Sequence, residues 1–448
     1  MTTVAGLTRG ITGAPGPTSL GLPARRLLAW ARRRKWPLIA AVASVVLGMV
    51  FTLEWIPLHH SGPWSQSWYV PGDIWGVFRA SHYVGWGGYA DIYDPGQVNS
   101  FPGILFLYAP VAMLSGALGL TESFPLTVPH PTAWLVLGPY SLIIGAVVLF
   151  ALDSLAERLG VSKGRRVVLC FAEAAILWIV DVAWGHPEDS LALALAVWAL
   201  LGLWSGHTKR AGWLFGFAIL MQPLVLLALP LLFFQTGARD RARTLCRCAV
   251  PSALALFLPF VADWQSTKRS VIEQPFLLRF AHITPWTSWA PKVGTDAVAG
   301  GPGRAVTLIA CVAIGWWSMR RRPGLAEMVW IVAVCLSLRT VFDSALASYY
   351  PWPPMALALV VAATRGRARF ALTCVCAMGV TVAASSHGPW LVWWTEVVGG
   401  LVLTLALARP TPGVGSGTSA ARPTPARDEL EDRLPTPSEE LRDLVASS

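Results

Sequence analysis

The run PLIAAVASVVLGMVFTL occupies residues 37–53 and follows directly after Arg32-Arg33-Arg34-Lys35-Trp36. As a helix, this uncharged run is about long enough to cross a bilayer core of roughly 30 Å. The basic residues before it favour a cytoplasmic start, because positively charged flanks are retained on that side of the membrane. We therefore predict a basic cytoplasmic N-terminus at residues 1–36 and an uncleaved first span after it.

The composition of the whole chain predicts the same class of protein. Its 448 residues are 54% hydrophobic and 13% charged, whereas soluble domains carry about one quarter charged residues. Apolar runs near membrane-spanning length recur along the chain and leave no room for a soluble domain between them. The predicted fold is an all-α, polytopic helix bundle over residues 37–408. The tail at 409–448 is rich in Pro, Ser and Thr, and we expect it to be disordered in the cytoplasm.

The net charge of +10 is interpreted here as a sign of membrane topology. Basic residues cluster in short loops between apolar runs, as in Arg320-Arg321-Arg322. Such loops follow the positive-inside rule, so the charge indicates membrane lipid and no nucleic acid as a partner.

The same rule sets the predicted order of spans. Residues 101–131 carry Pro102 and Pro110, and we interpret them as helices that dip into the outer leaflet. The run 211–234 is expected to break at Gln222-Pro223 into two half-helices. Roughly twelve crossings result, with long outer loops at 54–131 and 263–302 that carry interfacial helices. The remaining spans after the first are predicted at 132–152, 167–184, 190–205, 248–262, 303–318, 325–341, 349–363, 370–384 and 390–408.

Asp73 is the leading candidate for a reactive group. It stands in Gly72-Asp73-Ile74-Trp75-Gly76, within the first outer loop. Residues 73–88 show apolar residues at helical spacing, so we predict an amphipathic helix on the membrane surface. Asp73 would lie in its first turn, where the helix dipole favours an ionised carboxylate. Arg79 falls on another face and can bind an anion or anchor the helix at the interface.

Other polar residues of the predicted outer face are candidates for binding. His186, Glu188 and Asp189 mark the outer end of a helical hairpin, where they can bind a sugar or a metal or simply form a polar turn. Arg339 approaches the same face near Tyr349 and Tyr350. No Walker or Rossmann fingerprint occurs, so a nucleotide donor has no support, and we expect no metal. Further basic candidates for a phosphate site lie in the second outer loop, at Lys268, Arg269, Arg279 and His282.

Several short motifs resemble the GT-C class of membrane glycosyltransferases. The similarity covers roughly residues 37–300, and it is most like glycosyltransferase family 87, the bacterial α-mannosyltransferases that use polyprenyl-phosphate mannose. The chain departs from this pattern at Gln222, where many relatives have Lys, and at His186, where Gln often follows Gly. The matching stretches are GDIWGVFRA at 72–80, YADIYDP at 89–95, the aromatic-proline stretch at 101–110, and AGWLFGFA at 211–218.

This resemblance implies a bacterial plasma-membrane enzyme with an extracytoplasmic site. A sugar, with mannose favoured, would pass from a polyprenyl-phosphate donor to a lipid or glycan acceptor, with inversion and no further cofactor. Asp73 would be the general base. Two other functions stay open, a transporter or flippase of lipid-linked substrates and a non-catalytic protein of envelope assembly. A transporter needs polar residues through the membrane, and the predicted spans contain few, chiefly Glu173, Arg339 and Glu396.

Overall fold

A computed structural model of the chain describes residues 30–53, 68–93, 98–121, 130–278, 282–321, 323–386 and 388–410. These residues are mostly helical, as the sequence predicts. The N-terminal 29 residues, nearly all of the tail and Arg279 lie outside them. The α-helices are α1 Lys35–Thr52, α2 Gly72–Trp86, α3 Pro102–Ala117, α4 Trp134–Arg158, α5 Lys163–Trp178, α6 Pro187–Trp204, α7 Thr208–Met221, α8 Leu229–Gln235, α9 Ala238–Ala262, α10 Trp264–Lys268, α11 Pro302–Arg321, α12 Leu325–Phe342, α13 Trp352–Ala362, α14 Arg367–Ser385 and α15 Trp390–Ala408.

Eight helical segments of the described chain are long and apolar enough to cross a membrane. They are α1, α4, α5 with its π-helical extension Ile179–Trp184, α6, α9, α12, α14 and α15. Each coincides with a predicted span, which supports a multi-pass helical membrane protein. The count of roughly twelve is not confirmed. The other four predicted crossings fall in the two halves of 211–234, in α11 and in α13, which has 11 residues and is buried along its whole length.

The predicted break after α7 is confirmed. Gln222 adopts an extended backbone, with φ −151° and ψ 119°, and Pro223 then opens the 3₁₀ helix Pro223–Ala228. Proline removes a backbone donor and disfavours helical geometry at the residue before it, which accounts for the break. The consequence is that the Gln222 side chain stands at a helix end instead of inside a continuous helix.

The apolar face of α2 packs inside the protein. Ile74, Val77, Phe78 and Val84 are buried, and they form one cluster with residues of α3 and α4. The helix is therefore confirmed in position and in amphipathic character. Its apolar side covers the neighbouring helices, however, and the expectation that this side rests on lipid is wrong. The predicted helix in 101–131 exists as α3, whose 16 residues pack against it.

The predicted second outer loop contains short strands that the all-α prediction did not include. Strand β1 (Phe276–Leu277) pairs antiparallel with β3 (Ala297–Val298). Strand β2 (His282–Ile283) pairs with β4 (Ala345–Leu346), which follows α12. The Thr284 hydroxyl also donates to the carbonyl oxygen of Asp343 at 2.7 Å. The loop thus fixes the segment between α12 and α13.

Ion pairs join the basic ends of three helices. The Asp153 carboxylate on α4 is 1% exposed and accepts hydrogen bonds from Arg34, before α1, and from Arg166 on α5, the latter at 2.6 Å. Glu157 pairs with the same two arginines. Because α5 starts at this end, the turn at Gly185 lies at the opposite end of the bundle.

We expect Asp153→Asn to destabilise the protein by about 1–3 kcal/mol, since it removes the buried carboxylate that two guanidinium groups share and leaves them with the more exposed Glu157. Thermal unfolding of the purified protein in detergent measures this change. Asp240→Asn is the matched control, because Asp240 lies at the start of α9 and forms no ion pair among the described residues. Equal melting temperatures for the two variants would contradict the prediction.

Candidate functional site

A close contact at Gly185 brings the predicted first outer loop onto the α5–α6 turn. Gly185 has φ +73°, and a Cβ atom there would lie 2.7 Å from the Cβ of Pro71. Glycine is the residue that tolerates both the left-handed backbone and the missing space. The Tyr69 hydroxyl adds a hydrogen bond of 2.7 Å to the carbonyl oxygen of Ala183. Because α2 begins directly after Pro71, Asp73 is placed beside the residue that follows Gly185.

That residue is His186, which lies between two carboxylates. Its Nε2 is 3.0 Å from Asp73 Oδ2, and its Nδ1 is 2.7 Å from Glu188 Oε1. The His186 side chain is 12% exposed and that of Glu188 is 4% exposed, whereas that of Asp73 is 57% exposed. Tyr349 covers the imidazole, with ring centroids 4.3 Å apart. The imidazole is therefore fixed, and the Asp73 carboxylate faces open space.

The two carboxylates change the protonation of this array. Burial acts to lower the pKa of His186, but the charge of Glu188 and the hydrogen bonds that the ring donates to Asp73 and Glu188 raise it well above its usual value. Burial likewise acts to raise the pKa of Asp73, and the hydrogen bond and charge of His186 outweigh it and hold that pKa below its usual value. These opposite shifts favour an ionised Asp73 beside a protonated His186.

Asp189 extends the site toward α7 and α12. It lies in the first turn of α6, is buried, and accepts a hydrogen bond from the side-chain amide of Gln222. Arg339 on α12 acts on it electrostatically. The sequence predicted all three as site residues, and the structure brings them together.

Arg339 forms the cationic side of the site together with Arg304. The Arg339 guanidinium stacks on the Tyr350 ring at 3.7 Å and its Nε is 3.3 Å from Asp343 Oδ2. Arg304, near the start of α11, places its Nε 3.4 Å from Oδ1 of the same carboxylate. Two guanidinium groups share one buried carboxylate, so the group carries an excess positive charge, and both arginines stay partly exposed. Tyr349 and Tyr350, 5.2 Å apart, connect this cationic side to His186.

The buried carboxylate of Asp181 supports the α5–α6 turn. Asp181, in the π-helical extension of α5, accepts a hydrogen bond of 2.8 Å from the Ser190 hydroxyl on α6. A Cβ at position 145 would lie 1.9 Å from Asp181 Oδ2, so Gly145 on α4 provides the space for this carboxylate. The π-helix ends at Trp184, one residue before Gly185, and its geometry therefore sets the position of His186.

The structure does not bring every predicted residue to this cluster. Arg79 is exposed on α2, and no contact joins it to the cluster within the described residues. Lys268 pairs with Glu273 at 3.0 Å on an exposed surface, and Arg269 beside it is exposed. His282 stacks on Trp393, with centroids 3.6 Å apart. Arg279 lies outside the described residues, so its predicted role stays a prediction.

Four contributing residues escaped the sequence analysis, namely Tyr69, Asp181, Arg304 and Asp343. One local signal was present, since Asp343 follows Arg339 by four residues, the spacing of neighbours on a helix. Arg304 had no such signal, because its contact with Asp343 depends on how the second outer loop folds back.

Comparison with known proteins does not assign this arrangement to a family. No protein-family model matches the chain, and no curated protein matches it at a significant level.

Proposed function

We propose that the chain is a membrane glycosyltransferase that uses a polyprenyl-phosphate sugar and works at the extracytoplasmic face. The observation that carries this proposal is the pairing of an ionised, half-exposed carboxylate with a two-arginine cationic group across two adjoining tyrosines. A reaction between a hydroxyl and a phosphate ester needs a proton acceptor and a group that stabilises the departing anion. Both functions have a candidate here.

Asp73 is the proposed base. One of its oxygens, Oδ2, is held by His186, and no hydrogen bond from the described residues reaches Oδ1. In the proposed step, the acceptor oxygen attacks the anomeric carbon while its proton passes to Asp73 Oδ1. The bond from that carbon to the phosphate oxygen breaks, and its electron pair stays on the phosphate. The configuration at the anomeric carbon inverts.

Arg339 and Arg304 are the proposed ligands of the donor phosphate. A polyprenyl phosphate is a stable anion, so the leaving group needs charge stabilisation more than a proton. Guanidinium groups provide it by paired hydrogen bonds, and the anchoring by Asp343 and Tyr350 holds them in place before the substrate arrives. Glu188, Asp189 and Gln222 offer polar groups for sugar hydroxyls. The resemblance to family 87 favours mannose.

A transporter of lipid-linked substrates is supported less well. Of the polar residues in the predicted spans, Arg339 belongs to the site and Glu396 is exposed on α15. Glu173 is buried without a hydrogen-bond partner among the described residues. No hydrogen bond or ion pair within the described chain joins these three, so they do not form a polar path. A purely structural role is also supported less well, because it does not explain why Asp73 Oδ1 accepts no hydrogen bond from the described residues.

The decisive experiment uses the purified protein in proteoliposomes with radiolabelled polyprenyl-phosphate mannose and with other polyprenyl-phosphate sugars. Membrane lipid extracts supply the acceptor. We expect label to move from the donor into a new lipid or glycan product. Movement of intact donor across the bilayer without a glycosidic product would support the transporter and contradict the proposal.

We expect Arg339→Gln and Arg304→Gln each to lower the transfer rate by about a hundredfold, the usual effect of losing one group that stabilises a developing charge. Arg339→Lys keeps the charge but loses the planar fork, so its loss should be smaller. The matched control is Arg320→Gln, which removes a guanidinium from the other end of α11. A control as inactive as the two site variants would remove these arginines from the proposed role.

A further inference from the structure

His186 is held from three sides. Glu188 binds one ring nitrogen, Asp73 binds the other, and Tyr349 covers the ring face. An ionised carboxylate accepts hydrogen bonds and cannot donate them, so an imidazole between two of them donates from both nitrogens. That ring is an imidazolium. The buried Glu188 sets the orientation of the ring, and the three contacts together restrict its rotation.

We propose that His186 is a positioning residue for Asp73, whose positive charge keeps that carboxylate ionised and whose Nε2–H fixes Oδ2, so that Oδ1 alone receives the acceptor proton. This inference rests on the transfer proposed above. It gives a role to His186, which stands where the family that the chain resembles often has Gln after Gly. Glu188 acts through His186 and orients the ring.

The pairing also accounts for the return of Asp73 to its starting state. After transfer, Asp73 carries the proton of the acceptor hydroxyl. The adjacent imidazolium disfavours the protonated, neutral form, and the carboxyl is exposed enough to pass its proton to water. A more basic carboxylate would take the proton more readily and release it more slowly. His186 therefore makes Asp73 a weaker base but allows it to release its proton quickly after each transfer.

Acidic groups and tyrosine hydroxyls surround the Asp73–His186 pair. Asp73 is faced by His186, and its charge acts on the hydroxyls of Tyr69 and Tyr349. His186 is faced by Asp73 and Glu188, and its charge acts on the more distant carboxylates of Asp181 and Asp189. Arg339 is a further cation near the pair, and it acts on Asp189 and Tyr349. His186 is the cation that touches Asp73 among the described residues.

The test measures the protonation of Asp73 without relying on transfer. Dicyclohexylcarbodiimide labels protonated carboxyl groups, and peptide mass spectrometry of the full chain in detergent follows labelling of Asp73 against pH. His186→Gln and His186→Asn both remove the charge and keep a polar amide, and His186→Lys keeps a charge. His207→Gln is the matched control, because His207 is exposed at the start of α7, on the basic side of the bundle.

For the two neutral variants, we expect the labelled fraction of Asp73 at about pH 5.5 to rise by about threefold or more, because the nearby cation that favours ionisation is gone. The acid limb of the transfer rate should move to higher pH in parallel. His186→Lys and His207→Gln should retain the wild-type labelling curve. These readouts would not move together if His186 only held the turn in shape.

The outcomes separate the two proposals. In one outcome, Asp73 labelling rises in the neutral variants, but the wild-type protein transfers no sugar. That result would overturn the transferase proposal and support the control of Asp73 by His186. In the other outcome, the wild type is active and Asp73→Asn is inactive, but a folded neutral variant of His186 labels as the wild type does. That result would overturn the role of His186 alone.

Discussion

Asp73→Asn is expected to lower the rate of sugar transfer by about 10²–10⁴-fold, the contribution of a positioned general base. The amide has nearly the same shape and can keep the contact with His186, so the turn should fold as before. It cannot take a proton from the acceptor hydroxyl. Transfer of radiolabel in proteoliposomes measures the loss. Binding of the polyprenyl-phosphate donor should change much less than the rate, because Arg339 and Arg304 are untouched.

Asp91→Asn is the control for this variant. Asp91 is exposed, lies in the same outer loop after α2, and forms no ion pair among the described residues. It should transfer at the wild-type rate. If Asp73→Asn were also near the wild-type rate while folded, Asp73 would not be the base, and the proposed mechanism would lose its central residue.

The second large effect is expected for Gly185→Ala. The new methyl group would need the space that Pro71 occupies, and its backbone would keep a left-handed geometry that alanine disfavours. Relief of this overlap moves α2 away from the turn and separates Asp73 from His186. A displacement of about 1 Å in a reacting group can cost about a hundredfold in rate. We expect a loss of that size in the transfer assay.

Gly206→Ala separates the steric effect from the backbone effect. Gly206 has φ +83°, close to that of Gly185, but a Cβ there would meet open space. It lies between α6 and α7, on the side of the bundle away from Asp73. We expect Gly206→Ala to cost about 1 kcal/mol in stability and to leave transfer unchanged. Equal losses of transfer in both variants would show that strain, and not the contact with Pro71, controls the site.

The parts of the fold that follow from local patterns were predictable. Apolar runs predicted the eight candidate spans, and the Gln222-Pro223 pair predicted the break after α7, because both depend on short segments of chain. Asp73 in the first turn of α2 followed from helical spacing in the same way. The destination of the apolar face of α2 did not follow, since a surface of this kind suits lipid and a neighbouring helix equally well.

The candidate site was predictable as a set of residues and less so as an arrangement. The GHPED turn and Asp73 were both identified, but the contact between His186 and Asp73 joins residues far apart in the chain. It depends on one backbone geometry at Gly185 and on the ring of Pro71. The pairing of β2 with β4, which sets the position of Tyr349 and Tyr350, is likewise a long-range event. Charge alone therefore selected Lys268 and Arg269 as well as Arg339, and only Arg339 reaches the cluster.

The carboxylate of Asp153 has a consequence for how this protein can be engineered. It joins Arg34, just before α1, to Arg166 at the start of α5. Helix α1 is therefore held to the bundle by ion pairs and is not an exchangeable membrane anchor. A foreign signal-anchor grafted in its place would still insert and orient correctly, yet it would remove one guanidinium from the buried Asp153 and the partly exposed Glu157. Purification handles and reporter fusions should accordingly be joined upstream of Arg33, so that Arg33 keeps its ion pair with Glu157 and Arg34 keeps its contacts.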